Sequence, residues 1–481
     1  MSPKIVVLWS DIVVIATLLL LVAYAWRIHA SVNLRATWMK VLRDRAAICS
    51  SVVLVLFFAV ALVDSLHFRR ALANASGAGA NQAQAYGTRT ESLLDVLLSR
   101  QIAGRETSYS APLAMHGFTK DSIEVNGQIE RSYPRLKHGG ERLADDTQWL
   151  GDVTQRAALG LLIGALGALL ASAGIAVAVA RKNALGFGAA ARRLLQGRTD
   201  LPWRAVALTL LAVGVGFGPL LALAQHYHVF GTDRTGNDVF YQALKSIRTA
   251  FVIGTLSTIA TLPLAVGLGI VSGYLRGWVD EVVQYLYTTL SSIPNVLLIA
   301  ACVLMMQVFI DTHADLFETG AERSDVRLFM LCVILGLTGW ATLCRLLRAE
   351  TMKLSQLEYV QAATAFGVRT SRIMVRHIFP NVVHLIIITT VLDFSALILY
   401  EAVLSYVGVG VDPSMNSFGG MINLARTEMS RDPLVWWSFA AAFAFMVTLV
   451  LAANLFADGV RDAFDPRARS FRPRLRTGVA T

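Results

Sequence analysis

The side chains that could do chemistry in this chain are few, and they sit in unusual company. Asp393 and Glu401 fall within one apolar run, 382–407, where a charge at the bilayer centre costs about 2.5–3.5 kcal/mol on translocon scales. Two readings stand: the carboxylates lie along a hydrated solute path, or neighbouring helices satisfy them, with Glu401 near the outer end of its span. Pro294 lies inside another apolar run, in "SSIPN" with Ser291, Ser292 and Asn295. Proline there removes a backbone hydrogen bond and kinks or unwinds the helix. Such a break lines a translocation route or is a packing kink compensated by the serines. His226 and His228 in "QHYHVFGTD", with Asp233 close by, suggest a metal, but an i, i+2 pair points to different sides of a strand and sits awkwardly on a helix. Asp233, Gly236 and Asp238 read better as a turn followed by a helix cap, so no metal site is assigned. Neither HExxH nor a nucleophile paired with a base is present, and no catalytic residue is assigned. The phosphate-binding pattern GxxxxGK[ST] is also missing, so this chain is not expected to bind ATP.

The elements that must hold these residues are set by composition. The chain has 481 residues, 55% hydrophobic and 16% charged, with mean hydropathy +0.55, a balance suited to side chains that face lipid. The net charge of +10 comes from basic residues clustered beside apolar runs, as orientation signals are, so nucleic-acid binding is not expected. Cys49, Cys302, Cys332 and Cys344 lie in apolar runs without CxxC spacing and read as packing residues. Nine apolar runs, near 5–26, 46–64, 157–180, 204–224, 249–275, 282–310, 328–347, 382–407 and 435–457, are long enough to span a bilayer. The first has no small-residue cleavage site after it and reads as a retained anchor. Basic loops at 27–45 and 181–200 and basic segments at 348–381 and 461–478 face the cytoplasm on this reading, whereas the acidic loop 311–327 faces outside. The N-terminus is then outside and the C-terminus cytoplasmic. The 65–156 loop begins with a small-residue linker, "ALANASGAGANQAQAYG", followed by "TESLLDVLLSR" at helical spacing, and reads as a small extracytoplasmic element.

One polar segment interrupts the second half: "EYVQAATAFGVRTSRIMVRHIFPN", 358–381. Glu358 to Phe366 reads as a helix ended by a left-handed Gly367. A second helix, capped by Thr370 or Ser371, is expected through Ile373, Val375 and Ile378 to Pro380. Arg369, Arg372, Arg376 and His377 then form a polar face, and Ala362, Ala363 and Phe366 a compact surface. From periodicity alone, an interfacial loop that contacts anionic headgroups explains the pattern equally well.

"QAATAFG" followed after nine residues by "HIFP" resembles the EAA loop of membrane subunits in binding-protein-dependent ABC importers, in the dipeptide, oligopeptide and nickel branch. Gln361 stands where that family most often has glutamate. "FGTDRTGNDVFYQALKSIRTAF" resembles the family's extracytoplasmic signature, with Asn237 in place of the commoner arginine; Gly231, Thr232, Asp233, Gly236 and Asp238 carry it. "GYLRGWVDEVVQYLYTTLSSIPNVLLI", "EAVLSYVGVGVDPSMNSFGGMI" and "NLFADGVRDAFDPR" resemble its later segments in order. The resemblance covers about 225–467 and implies an all-α polytopic protein of the type I ABC importer permease fold. A core of six spans at 204–481, with its conserved part at about 245–460, would follow three extra spans at 1–203. It also implies that Glu358, Tyr359, Gln361, Ala362, Ala363, Gly367, Arg372, His377 and Pro380 dock on an ATP-binding subunit, and that Ser292, Pro294, Asn295, Asp393 and Glu401 are candidates for the solute path. The expected partners are two ATP-binding subunits that hold ATP and magnesium, a second homologous permease subunit forming a heterodimer, an extracytoplasmic solute-binding protein, and the lipid of a bacterial inner membrane. No cofactor is expected on this chain itself. Peptides of a few residues are the expected cargo, with nickel chelates or peptide-like antibiotics as alternatives. A membrane-embedded hydrolase lacks its residues, and an energy-independent channel or scaffold leaves the nine-residue interval after Gly367 unexplained.

Overall fold

A computed structural model describes residues 4–71, 86–87, 90–125, 128–143, 145–317 and 319–464. Most of the small-residue linker and the end of the basic tail lie outside these residues. Helices dominate: α1 Trp9–Ala30, α2 Val32–Arg43, α3 Arg45–Asp64, the short α4 Leu93–Leu97 and α5 Ser99–Ala103, α6 Trp149–Lys182, α7 Phe187–Leu195, α8 Trp203–Ala224, α9 Val239–Leu275, α10 Gly277–Ser292, α11 Asn295–Thr312, α12 Gly320–Leu354, α13 Glu358–Ala365, α14 Thr370–Ile373, α15 Phe379–Val407, α16 Phe418–Glu428 and α17 Trp437–Phe464. Strands β1 Lys4–Ile5, β2 His67–Arg69 and β3 Glu91–Ser92 form a small antiparallel sheet, and β4 Asp121–Val125 pairs with β5 Gln128–Ser132. Among the described residues, nine helical segments are long and apolar enough to cross a membrane.

Three sequence expectations shift. The first apolar run loses its start to β1, whose Ile5 pairs with Phe68, and its helix begins at Trp9. The 282–310 run is two helices, because Ile293 and Pro294 are extended and α11 starts afresh at Asn295. The second helix of the polar segment has Arg369, not Thr370 or Ser371, at its N-cap and no side-chain cap. It does not stop at Pro380: α14 passes through a wide π turn, Met374–Ile378, into α15. Widening the turn accommodates a residue that lacks an N–H and whose ring crowds the carbonyl four residues back, so 370–407 forms one span.

The interior is built on α9, which is buried along most of its length and packs along α12. α15 and α17 close around it with α3, while α11 lies on α12. α6 and α8 form an antiparallel pair set against α3, with Phe217 of α8 against Phe445 of α17. Their contact is close because Gly160 and Gly164 face Gly218 and Gly214: a methyl on Gly164 would sit 1.9 Å from the Gly214 carbonyl oxygen. Small residues four apart let backbones meet in lipid, where association relies on packing. The outer side of α6 carries exposed Leu162, Ile163, Leu166 and Leu170.

Candidate functional site

At one end of the bundle, α13 and α14 meet at an elbow. The Gly367 N–H donates to Thr364 O and the Val368 N–H to Ala363 O, at 3.0 and 3.1 Å, while Gly367 has φ 72°. That pair of bonds is a Schellman stop, which needs a left-handed residue at this position. Val360, Ile373 and Ile378 are buried in one cluster with Tyr287 and Leu347, and the π turn packs on α9, so the inward face of the elbow is seated on the bundle. Asn381 Nδ2 bonds the Tyr359 hydroxyl (3.2 Å) and His377 O (2.6 Å) across the two limbs. Gln361 Nε2 reaches back to Gln356 O at 3.1 Å. The outward face is open: Glu358, Tyr359, Gln361, Ala362, Gly367, Arg369, Arg372, Arg376 and Pro380 are exposed, Ala363 and His377 are half-buried, and Phe366 is 87% exposed. An aromatic side chain left this bare on a rigid bend is unusual unless something covers it.

The α14–α15 limb then crosses the bundle to a cavity of about 790 Å³. Its walls bring together the break between α10 and α11 (Ser291, Ser292, Pro294, Asn295), Thr258 and Thr261 of α9, Thr338 of α12, and Thr389, Thr390, Asp393 and Tyr400 of α15. Four of the five expected path residues therefore share one space. Glu401 lies off it: the side chain is 3% exposed and accepts a 2.6 Å bond from Ser405 Oγ, with α16 against it.

At the opposite end, the signature residues build a turn and a cap. Asp233 Oδ1 accepts from the Thr235 and Asn237 N–H groups (2.8 and 2.9 Å), and Asp238 caps α9 through the Tyr241 N–H at 3.0 Å. The 65–156 element docks on this turn. Thr232 N–H donates to Ser110 O and Glu106 N–H to Gly236 O, while Trp437 Nε1 donates to Thr232 O at 2.9 Å. A methyl on Gly236, at φ 76°, would lie 1.9 Å from Glu106 O. His226 and His228 part ways here. His228 is fully buried, with Nδ1 2.6 Å from Asp238 and Nε2 3.5 Å from Glu106. Burial alone would lower its pKa, but the two carboxylates outweigh it and hold the imidazole up at about 9. The pKa of His226 is lowered, by burial first and then by Arg156 and Arg142.

Sequence reasoning passed over a third group. Arg248, on α9 and nearly fully buried, is 2.6 Å from Asp11 of α1, and Asp11 also meets His67 at 2.9 Å. Ser10 bonds Asp325 of α12. Lys245, one turn away, pairs with Asp64 and Asp95 at 3.3 and 2.8 Å. The rule that flagged Asp393 looks for charge within an apolar run; Arg248 precedes the 249–275 run by one residue and enters the span only because α9 begins at Val239.

Residues 265–470 match the family described as "Binding-protein-dependent transport system inner membrane component". The chain is 30% identical over 298 residues to the oligopeptide transport system permease protein OppC of Mycobacterium tuberculosis, covering 59% of this chain and 96% of that one. This chain belongs to the peptide-branch permease subunits of binding-protein-dependent ABC importers. The permease is also 30% identical over 242 residues to OppC of Bacillus subtilis, covering 50% of this chain and 72% of the relative. It is 31% identical over 243 residues to the glutathione transport system permease protein GsiD of Pectobacterium atrosepticum, covering 50% and 74%. It is thus a multi-pass inner-membrane transport subunit with the type I permease fold; the polar segment and the broken span lie within the matched residues 265–470, and the signature turn precedes them.

Proposed function

We propose that this permease translocates peptides of a few residues by alternating access, driven by ATP hydrolysis in two partner subunits that grip the Gly367 elbow. The observation that carries this reading is mechanical. Residues 370–407 form one continuous helix with its exposed elbow at one end and the cavity wall at Thr389, Thr390 and Asp393. From Thr370 to Asp393 is about 35 Å at the α-helical rise per residue, so a push at the elbow arrives in the cavity without an intervening joint except the π turn. In the proposed orientation the elbow faces the cytoplasm with the basic loops, and the signature turn faces outside, where a solute-binding protein delivers cargo. A second, related permease subunit covers the open side of the cavity, and solute passes between the two. Residues 204–481 serve as the transport core and 1–203 as an extension that the Arg248 cluster binds to it. The chain itself binds no cofactor on this reading, and Glu401 has a packing role.

Replacing Gly367 tests the coupling. A Cβ there meets nothing within 4 Å in the subunit, so alanine and tryptophan share the strain of a left-handed residue, about 1–2 kcal/mol, and tryptophan adds a large ring at the exposed elbow. Gly367→Trp is expected to release the ATP-binding subunits on copurification and abolish uptake, with Gly367→Ala much milder. Retained ATPases and unchanged uptake in the tryptophan variant would rule out coupling through this elbow.

A further inference from the structure

The cavity beside the broken span has a chemical bias that the transport reading does not specify. Among its described lining residues, Asp393 carries the only formal charge. Its side chain is exposed to the cavity side of the helix and has neither a hydrogen bond nor an ion pair among the described residues, in contrast to Glu401, which is bonded by Ser405. Arg345 does not compensate it. That guanidinium stacks over Tyr287 and reaches Ser291 Oγ at 3.5 Å.

Four of the uncharged groups lean the same way. Thr258, Thr261, Thr338 and Thr389 each donate the hydroxyl proton to a carbonyl four residues back in its own helix, at 2.7–2.9 Å. A hydroxyl that has spent its single proton retains only acceptor lone pairs. Thr390, one turn before Asp393, has a buried hydroxyl without a partner. An unpaired carboxylate held within a membrane span, with four neighbouring hydroxyls able only to accept, is costly until a donor-rich cation joins it.

Resting on the peptide-transport reading, we propose that Asp393 selects solutes bearing an ammonium group, pairing with it as the solute occupies the cavity. The chemistry is met by the free amino terminus of a short peptide or by a lysine side chain, and the probes separate these sources. The test uses the importer complex purified with its native partner subunits and reconstituted in vesicles, with three radiolabelled probes: trialanine, N-acetyl-trialanine, and an N-acetylated tripeptide with a central lysine.

Wild type is expected to take up one or both ammonium-bearing probes in preference to N-acetyl-trialanine. Preference for trialanine alone identifies the terminal amine, and preference for the lysine probe alone the side chain. Asp393→Asn is expected to reduce that preference at least about tenfold, the low end of what losing one member of a close charge pair costs. Asp393→Glu, which keeps the charge, is expected to preserve it and so separates lost recognition from misfolding. An unchanged preference in Asp393→Asn at normal membrane abundance overturns the assignment, as does equal loss in Asp393→Glu. ATP-dependent uptake that ignores the ammonium in wild type overturns the inference while leaving the transport reading standing; absence of ATP-dependent uptake of any probe sinks both.

Discussion

His228 shows how one side chain fixes an entire accessory element. It stands between Asp238, which caps α9, and Glu106, whose backbone bonds Gly236, so its charge holds the 65–156 element against the signature turn. Because the pKa of the folded imidazole lies at about 9 and that of an unfolded one near about 6.5, the charge stabilises the fold fully below pH ~6.5 and its contribution is gone once pH rises through about 9. Melting temperature in detergent should therefore fall across that alkaline window in wild type, and Asp238→Asn should flatten the fall; a wild-type profile that rises through the same window contradicts the assignment. The motif "FGTD" was readable from the sequence as a turn and cap because the backbone preferences of glycine and aspartate are local. Glu106 was not, because its contact with the turn depends on a loop more than 100 residues away, and nothing local announces such a partner.

At the scale of the element, α1 is the instructive case. Its helix is almost entirely apolar, yet Asp11 in its first turn lies against Arg248 and His67. Removing one partner of a buried ion pair leaves the other charge uncompensated, a loss of about 3–5 kcal/mol. Asp11→Ala should lower the melting temperature sharply, and Asp11→Ala with Arg248→Met should recover part of the loss; no difference between the single and double variants would show that the pair is not what anchors α1. Hydropathy located α1 and the other spans because a bilayer imposes length and composition on any segment that crosses it. The break at Ile293 and Pro294 was legible from Pro294 itself, as the expected loss of a backbone hydrogen bond, whereas nothing local predicted that Pro380 would be carried through by a π turn rather than end the helix. Both outcomes depend on neighbouring helices re-satisfying the backbone. The close approach of α6 and α8 was legible in principle, as "GLLIG" and "GVGFG" are small-residue repeats of the helix-pairing type.

For the molecule as a whole, the loops sort by charge into two ends, one with the elbow and the basic segments, the other with the signature turn and the ion pairs of Arg327 with Asp311 and Asp412. A single cysteine at 367, in a background in which the native cysteines are replaced, should be modified by a membrane-impermeant maleimide only in broken cells or inverted vesicles. Modification in intact cells would reverse the proposed orientation and detach the elbow from any cytoplasmic motor. The Asp393 cavity has a bearing on how the cell handles this chain. Under the proposed pairing with a second permease subunit, an unmated copy exposes a carboxylate and a row of hydroxyls to acyl chains, a surface that membrane proteases and insertion chaperones can read as incomplete, so the steady-state amount of this subunit should be set by the supply of that mate rather than by its own rate of synthesis.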